Sequence, residues 1–380
     1  MRQVKPSSRR RMRLLPKILL GILAAVILLI GVAALYVNHL LNKIEYEDEF
    51  TVPTLSGLAT DRHGNLILPD FDNPEGSEAV ATDEDGNPIR STIPTEYGTI
   101  EDSEIAVIAG DLKEASEDGS ELLSDKNVIN IMLIGTDNRE RGQYRLSDTM
   151  ILLSINRSKG KLVMTSLMRD IYAYIPGRGN AKLNAATAIG GPNLLLQTVR
   201  DMFKIDVQEY IMVDFYSMAE IIDVLGGVGI EVSAAEANAI NIHVRQAAPG
   251  RELLSGSGYK NLTGPQAVGY ARIRKIGNAD FQRTERQRTI LNAIIGKTKS
   301  ASIGTLNNLL NAILPKVQTN ISKGSFLQYL TMAPAILNYP IVQARIPSSG
   351  TYRGVSFTDV VDTLVIDIQA ARDLLKREIY

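Results

Sequence analysis

The 380-residue chain contains no cysteine, which excludes disulfide bonds, thiolate nucleophiles and thiolate-bound metals. For a domain outside the cytoplasm, this absence is typical of an envelope that does not rely on disulfides, such as that of many Gram-positive bacteria. Acidic residues are missing from residues 1–44, which carry eight Lys and Arg. The formal net charge of −1 therefore hides an uneven distribution of charge along the chain.

Charge of either sign is missing from the twenty residues Ile18–Val37. As a helix this run is about 30 Å long, the thickness of the hydrocarbon core of a bilayer. Cations precede it and the acidic "EYEDE" follows it, so the positive-inside rule places the N-terminus in the cytoplasm. A cleaved signal peptide is the alternative, but the run exceeds a typical signal core and no small-x-small site follows. We predict a cytoplasmic basic tail over 1–17, a transmembrane helix over 18–38 and a single-pass protein of the cell membrane.

The next section is acidic, since residues 45–126 carry 22 Asp and Glu against four Lys and Arg. Turn-forming stretches such as "DRHGN" and "DEDGNP" interrupt it. We predict an extracytoplasmic spacer or small accessory region over 39–126, with short hairpins near "HGN" and "DGN". A calcium loop at Asp83, Asp85 and Asn87 is the alternative, but the downstream Glu of a calcium-binding hand is missing.

Residues 127–380 have a different pattern and carry 29 Lys and Arg against 20 Asp and Glu, a surplus of nine positive charges. Short apolar runs predict strands: "VINIMLIG", "TMILLSI", "KLVMTSLM", "YIMVD", "GIEVS", "IVQARIP" and "DTLVIDI". Helical periodicity occurs in "LNAATAI", "GPNLLLQTVRDMF", "FYSMAEIIDVLGG", "RTERQRTILNAIIGK", residues 305–335 and "QAARDLLKREIY". Mixed strands and helices over this length predict one layered α/β domain.

The stretch "YARIRKIGNADFQRTERQR", residues 270–288, places six Lys or Arg among nineteen residues with only two acids. If "YARIR" is a strand, Arg272 and Arg274 lie on one face of it. On the following helix, Arg283 and Gln287 are four residues apart and share a side. Three guanidiniums and one amide would suit an anion such as phosphate. The alternatives are a solvated basic face and a nucleic-acid site, although the aromatic residues that usually accompany the latter are missing.

Two carboxylates flank the loop "TDNRERGQYRLSD", because Asp137 follows one predicted strand and Asp148 precedes the next. Two oxygen ligands that leave room for water and a substrate phosphate suit Mg²⁺. Arg169 ends another predicted strand at the same edge of the sheet. Metal-binding carboxylates beside arginines are typical of phosphoryl transfer. Each Asp could instead be a turn or capping residue.

Five blocks in order resemble the LytR-CpsA-Psr family of bacterial cell-wall enzymes: "NIMLIGTDNRERGQYRLSDTMILLSIN", "SLMRDIYAYIPGRGNAKLNAATAIGGP", "VDFYSMAEIIDVLGGVGIEV", "LTGPQAVGYARIR" and "DFQRTERQRTIL". The resemblance implies a three-layer α/β/α sandwich with a mixed central sheet as a catalytic domain over 127–380. It also implies a phosphotransferase that moves a glycopolymer from an undecaprenyl diphosphate carrier to peptidoglycan. The expected product is a phosphodiester at the C6 hydroxyl of N-acetylmuramic acid, and no nucleic acid is involved.

The resemblance also assigns roles to single residues. Asp137 and Asp148 would be catalytic and bind Mg²⁺, with Mn²⁺ as the alternative ion. The residues that would hold the lipid's diphosphate, the first three of them also catalytic, are Arg169, Arg272, Arg274, Arg283 and Gln287. Asp280 would orient these arginines. The family pattern Arg-Ser-Asp-Thr is interrupted here by Leu146, so whether Arg145 reaches the diphosphate is left open.

Two other functions remain open at this point. A hydrolase of polyprenyl diphosphates could use the same residues, because water can replace the sugar hydroxyl. A non-enzymatic scaffold or regulator of envelope assembly that binds polyprenyl lipids would not need the metal-binding carboxylates. The proton acceptor, and the choice among teichoic acid, capsule and other polysaccharides, do not follow from the sequence. For the proton, Asp137 or another carboxylate could serve, or a dissociative reaction could proceed without a strong base.

Overall fold

The computed structural model describes residues 36–46, 98–99, 102–137, 144–274, 276–277, 279–356 and 363–380. The strands are β1 Glu45–Tyr46, β2 Gly98–Thr99, β3 Val128–Thr136, β4 Ser147–Asn156, β5 Lys161–Leu167, β6 Tyr172–Ile175, β7 Gly179–Lys182, β8 Glu209–Asp214, β9 Val228–Val232, β10 Gly258–Leu262, β11 Gln318–Thr319, β12 Ile341–Ile346, β13 Tyr352–Ser356 and β14 Thr363–Ile366. The helices are α1 Asp102–Glu117, α2 Ala185–Phe203, α3 Phe215–Val224, α4 Ala234–Ala247, α5 Gly264–Arg272, α6 Ala279–Lys299, α7 Ile303–Ile313, α8 Lys323–Ile336 and α9 Ile368–Ile379. Residues 36–41 are also helical, and Leu314–Lys316 form a 3-10 turn.

The main sheet has seven strands in the order β1-β11-β8-β3-β4-β5-β12. Its pairing is mixed, because β3 runs parallel to β8 but antiparallel to β4, and β5 runs antiparallel to β4 but parallel to β12. Smaller sheets form from β9 with β10, from β6 with β7, and from β14, β13 and β2. The predicted α/β architecture with a mixed central sheet is confirmed, and the seven strands predicted from short apolar runs are present.

Helices cover both faces of this sheet. Side chains alternate along a strand, and Met132, Met150 and Leu152 point into a core formed with α1, α2 and α9, where each is no more than 1 % exposed. We call this side the packed face. Leu133 and Ile151 point the other way, toward α3, α5 and α6, and we call that side the cavity face. Helices on both sides of one sheet make three layers.

The structure corrects the prediction that "YARIR" is a strand. Residues 270–272 are the last turn of α5, and Ile273 and Arg274 follow it as irregular chain. The helix is favoured at its start, where Thr263 and Gln266 form a capping box and Pro265 occupies the first turn. The alternating positions of Arg272 and Arg274 therefore do not indicate a strand. Arg272 is the last residue of α5, and Arg274 lies in the irregular chain after it.

The predicted spacer over 39–126 is partly folded into the domain. Helix α1 buries Ile105, Ile108 and Leu112 in the core of the packed face, so residues 102–117 belong to the α/β domain. The predicted hairpins and the calcium-loop alternative at 83–87 lie outside the described residues. At the N-terminal end of the predicted spacer, Leu40, Leu41 and Ile44 pack on Leu314, and β1 pairs with β11.

Two predicted helical regions are more irregular than expected. Helix α2 includes the last five residues of "LNAATAI" and all of "GPNLLLQTVRDMF". It is kinked at Gly190 and Gly191. Gly191 has a φ of 69°, which a side chain would disfavour, and Pro192 restarts the helix. Residues 305–335 are not continuously helical, because β11 separates α7 from α8.

Candidate functional site

The two predicted metal-binding carboxylates lie at the open end of the β3–β4 pair. Thr136 pairs with Ser147, and the register shifts between Gly135 and Thr136. Asp137 directly follows Thr136, and Asp148 directly follows Ser147. Asp148 is the second residue of β4, so it lies slightly deeper in the sheet than predicted. The strand pairing therefore brings these two residues to one edge, as the sequence suggested.

Asp148 is the centre of an arginine cluster. Its Oδ1 lies 3.1 Å from Arg169 Nη1, 3.3 Å from Arg274 Nη2 and 3.8 Å from Arg283 Nη1. These arginines come from three places: Arg169 from just after β5, Arg274 from just after α5 and Arg283 from α6. We call Asp148, Asp280 and these three arginines the arginine cluster.

Asp280 joins two of the arginines from the first turn of α6. Its Oδ2 accepts a hydrogen bond from Arg169 Nε at 3.1 Å, and its Oδ1 lies 3.3 Å from Arg283 Nη1. Burial would raise the pKa of Asp280, but the charges of Arg283 and Arg169 outweigh burial and hold it below its usual range. Asp280 is therefore ionised and contacts both Arg169 and Arg283, and its predicted role in orienting them stays a prediction.

Arg283 is the least satisfied member of the cluster. It is 2 % exposed, and its Nε and Nη1 are buried without a hydrogen-bond partner. The 3.3 Å approach of Nη1 to Asp280 is thus an ion pair without hydrogen-bond alignment. Burial, followed by the nearby charge of Arg169, lowers the pKa of Arg283 to about 10. A buried cation with unpaired donors is costly, and an anion bound here would relieve that cost.

The net charge of the cluster is positive, since three guanidiniums face two carboxylates. Asp170 adds a negative charge 3.4 Å from Arg169 Nε, but Lys182 Nζ lies 2.9 Å from Asp170 and balances it. Burial lowers the pKa of Arg169, but the carboxylates of Asp170, Asp280 and Asp148 outweigh burial and raise it. The three guanidiniums and two carboxylates of the arginine cluster therefore carry a net charge of about +1.

Arg272 forms a second, looser pair beside the cluster. Its Nη2 lies 3.8 Å from Asp137 Oδ2, and both side chains are about one third exposed. The guanidinium also stacks over the ring of Phe215, 4.6 Å from the ring centre. Phe215 is the first residue of α3 and lines the adjoining cavity. Arg272 thus connects the polar edge to an apolar space.

That apolar space lies between the cavity face of the sheet and helices α3, α5 and α6. It has a volume of about 200 Å³. The residues that line it are almost all apolar and include Leu133, Ile151, Ile211, Val213, Phe215, Met218, Ile222, Ala271, Ile290 and Ile294. Gln287 also lines it and donates from Nε2 to the carbonyl oxygen of Asp148 at 3.4 Å. The cavity and the arginine cluster are therefore adjacent.

The carboxylates fit a magnesium ion in part. Among the described residues, no group of three or more His, Cys, Asp or Glu could hold a metal. Mg²⁺ commonly uses one or two carboxylates and completes its shell with water and substrate phosphate. The three arginine contacts of Asp148 described above all use Oδ1. The donor set, two carboxylates beside unpaired arginine N–H groups, suits a metal that binds together with a phosphate.

A comparison with protein families decides the affiliation of the chain. The LytR-CpsA-Psr family model matches residues 97–373, which is more than two thirds of the chain. The chain belongs to the LytR-CpsA-Psr family. The match begins before α1, which agrees with the burial of that helix in the core and not with a domain that starts at residue 127.

Relatives of this family member carry two kinds of name. The polyisoprenyl-teichoic acid–peptidoglycan teichoic acid transferase TagU of Oceanobacillus iheyensis is 33 % identical over 226 residues, which are 56 % of this chain and 65 % of the relative. The regulatory protein MsrR of Staphylococcus aureus (strain COL) is 34 % identical over 166 residues, 44 % of this chain and 48 % of the relative. The match thus spans less than two thirds of either relative. A solved structure of TagT bound to LI-WTA is 25 % identical, with a TM-score of 0.55, and the match covers 68 % of this chain and 92 % of that one.

The structure brings most of the predicted site residues of this LytR-CpsA-Psr protein together. The arginine cluster contains Arg169, Arg274, Arg283, Asp148 and Asp280, and Gln287 contacts it. Arg272 and Asp137 form the neighbouring pair. Arg145 is half-buried in the stretch before β4, and its contact with a diphosphate stays a prediction, as do the roles of all these residues.

Sequence reasoning missed three contributors to the site. Asp170 and Lys182 are ion-paired beside Arg169, and Phe215 lies under Arg272. Only Asp170 had a signal, because it follows Arg169 in the sequence. No helix in the described part of the chain is both long and apolar enough to cross a bilayer. The predicted transmembrane helix over 18–38 lies almost wholly outside that part.

Proposed function

We propose that this LytR-CpsA-Psr protein is a phosphotransferase that moves a glycopolymer from an undecaprenyl diphosphate carrier to peptidoglycan. The acceptor is the C6 hydroxyl of N-acetylmuramic acid, and the product is a phosphodiester. The single observation that supports this most is Arg283, a buried guanidinium with unpaired donors beside an apolar cavity. A polyprenyl diphosphate has the matching chemistry, an anionic head joined to a long apolar tail.

In this proposal the two parts of the substrate occupy the two parts of the site. The polyprenyl tail enters the cavity over Leu133, Ile151 and Met218, where each buried CH₂ contributes about 0.8 kcal/mol. The diphosphate meets the arginine cluster, whose planar guanidiniums bind phosphate oxygens in pairs. Gln287, at the boundary, lies where the tail joins the head.

The transfer step follows from this placement. The acceptor hydroxyl oxygen attacks the phosphorus that carries the glycan, and a new P–O bond forms. The bond between that phosphorus and the bridging oxygen breaks, so undecaprenyl phosphate leaves with the bond's electron pair. The hydroxyl proton passes to solvent or to a carboxylate. Arg169, Arg274 and Arg283 hold the phosphate oxygens as charge shifts toward the leaving group, and such fixed donors are a main source of rate enhancement.

Asp137 and Asp148 are the residues that would hold Mg²⁺, or Mn²⁺ in its place. The ion would neutralise diphosphate charge that the guanidiniums do not reach. We also propose that the predicted transmembrane helix anchors the protein in the cell membrane, with the α/β domain outside. Substrate and acceptor both occur on that side.

The test is a coupled transfer assay with the full chain in detergent. The reaction contains Mg²⁺, a labelled saccharide on a polyprenyl diphosphate, and a peptidoglycan oligomer. We expect a saccharide–phosphate–peptidoglycan product that requires Mg²⁺ and disappears in Asp137→Asn, while the circular dichroism spectrum is unchanged. Asp367→Asn is a matched control, because Asp367 caps α9 and contacts Ala370 rather than the site.

The other outcomes separate the alternatives. Release of polyprenyl phosphate and free saccharide phosphate without coupled product would favour a hydrolase. Tight lipid binding without turnover would favour a scaffold or regulator, in line with the name of MsrR. Normal product formation by Asp137→Asn in the presence of Mg²⁺ would remove Asp137 from the metal site.

A further inference from the structure

Arg286 is a buried arginine near Arg283 of the arginine cluster, but its own guanidinium donates to Glu236, Ile273 and Ile276. It lies on α6 one turn after Arg283 and is 2 % exposed. Its Nη1 donates to the carbonyl oxygen of Ile273 and its Nη2 to that of Ile276, both at 3.2 Å. Its Nε donates to Glu236 Oε1 at 2.9 Å. One guanidinium therefore holds two backbone carbonyls and one carboxylate.

The two carbonyls belong to the short connection that carries Arg274. Helix α5 ends at Arg272 and α6 begins at Ala279, and Ile273 and Arg274, which follow α5, are irregular chain. Ile273 and Ile276 lie before and after Arg274 in this connection. Arg274 itself is 46 % exposed at its side chain and reaches Asp148 at 3.3 Å. Arg286 thus holds the backbone on both sides of Arg274 through these two carbonyls.

Glu236 is itself held in place. Its Oε2 accepts hydrogen bonds at 3.0 Å from the backbone N and from Oγ of Ser233, in a capping box at the start of α4. Burial would raise the pKa of Glu236, but the hydrogen bonds from Ser233 and Arg286 outweigh it and lower the pKa. An ionised Glu236 therefore remains available to Arg286 at neutral pH. The chain of contacts runs from the α4 cap to Arg286 and then to the Arg274 connection.

Another buried arginine on the same helix, Arg288, has different hydrogen-bond partners. Arg288 is 7 % exposed and donates to Ser166 Oγ at 2.6 Å and to Gln343 Oε1 at 3.0 Å. Both partners are side chains of the main sheet. Arg288 therefore fastens α6 to β5 and β12, whereas Arg286 fastens α6 to the connection that carries Arg274.

We propose that Arg286 and Glu236 are positioning residues that set the Arg274 guanidinium at the diphosphate site. This inference rests on the proposed function, because it assigns a purpose to Arg274. Lysine cannot replace Arg286, since a single ammonium group does not span both carbonyls and the carboxylate. The effect of losing Arg286 on diphosphate binding should accordingly pass through Arg274.

A double-mutant cycle tests this with the full chain in detergent. The dissociation constant of geranylgeranyl diphosphate is measured for wild type, Arg286→Lys, Arg274→Ala and the double variant. We expect Arg286→Lys to bind about tenfold more weakly, and the same change in the Arg274→Ala background to cost less than about twofold, because coupled residues are non-additive. Arg288→Lys is the matched control, expected to lower the melting temperature without this coupling to Arg274.

Equal losses from Arg286→Lys in both backgrounds would overturn the inference, because they would indicate a general structural effect. Unchanged affinity in folded Arg286→Lys would also overturn it. If Arg286→Lys does not fold, Glu236→Gln replaces it in the same cycle, with the same coupling expected. A wild-type chain that does not bind geranylgeranyl diphosphate would remove the proposed function itself, and this inference with it.

Discussion

The two faces of the main sheet are built from alternate residues of the same strands, yet they are filled differently. On the packed face, Met132, Met150 and Leu152 are each no more than 1 % exposed and meet a continuous core with α1, α2 and α9. On the cavity face, Leu133 and Ile151 border about 200 Å³ of open space. Native cores rarely leave voids larger than a water molecule.

Under the proposed function, the packed face serves stability and the cavity face serves binding. An apolar cavity beside unpaired buried donors combines two features that each disfavour folding. Both occur on the cavity face, where Gln287 and the Asp148 backbone join them. A protein under selection for stability alone would fill the cavity and pair Arg283. The four predictions below test this division, starting with the largest effect.

Replacing Arg283 with Met should have the largest effect on activity and a small effect on folding. Loss of one buried donor to a developing oxyanion typically lowers the rate about 10²- to 10³-fold. The fold should tolerate the change, because Asp280 keeps its hydrogen bond from Arg169 and the cluster loses its surplus positive charge. Initial rates of saccharide transfer and thermal unfolding are measured on the same preparations. A large fall in melting temperature, with transfer retained, would contradict the assignment.

Leu152→Ala on the packed face should do the opposite. Leu152 is fully buried, and Leu→Ala in a core typically costs about 2–5 kcal/mol. We expect a lower free energy of unfolding in urea, with an unchanged KM for the lipid substrate at temperatures where the variant is folded. An altered KM in the folded variant would show that the two faces are not independent.

The sequence predicted the strands and the position of two site residues, but not the difference between the two faces of the sheet. The seven strands predicted from short apolar runs formed, whereas "YARIR" did not form a strand. Asp137 and Asp148 were placed correctly at one edge because they flank two strands that pair as neighbours. The residues that line the cavity could not be assigned to it from the sequence, because Met218 and Ala271 are residue types that also fill an ordinary core.

The arginines of residues 270–288 show a second limit. In the sequence they are alike, and alternation suggested a strand through Arg272 and Arg274. The capping box at Thr263 favours a helix instead, so Arg272 lies at the end of a helix and Arg274 lies just after it. Arg286 is bonded to backbone carbonyls and a carboxylate, whereas Arg283 has unpaired donors. That distinction depends on contacts made in three dimensions, which the local sequence pattern does not contain.

Enlarging Ala271 should have a smaller effect and should separate tail from head. Ala271 lines the cavity on α5, so Ala271→Leu places the new atoms in open space. We expect geranylgeranyl diphosphate to bind about tenfold more weakly, in line with the 1–3 kcal/mol typical of overpacking when a ligand must share the space. Inorganic pyrophosphate should bind as in wild type. Isothermal titration calorimetry measures both affinities.

The matched control is the same substitution on the packed face. Ala186 is fully buried in the core, so Ala186→Leu should lower the free energy of unfolding by about 1–3 kcal/mol. Ala271→Leu should leave that free energy nearly unchanged. Equal destabilisation by the two substitutions would mean that the cavity face is as tightly filled as the packed face.

The smallest effect expected is on the acid limb of the stability curve. The pKa of Asp280 is held below its usual range in the folded protein, against the effect of burial, by Arg283 and Arg169. A carboxylate with a lowered folded-state pKa stabilises the protein above its unfolded pKa, which is about 3.9 for Asp. That contribution is lost as pH falls below this value toward the folded pKa. Asp280→Asn should therefore flatten the fall in unfolding free energy below about pH 4, measured by urea titration at each pH. A slope identical to that of wild type would contradict this assignment, because it would show that Asp280 has the same pKa in the folded and the unfolded protein.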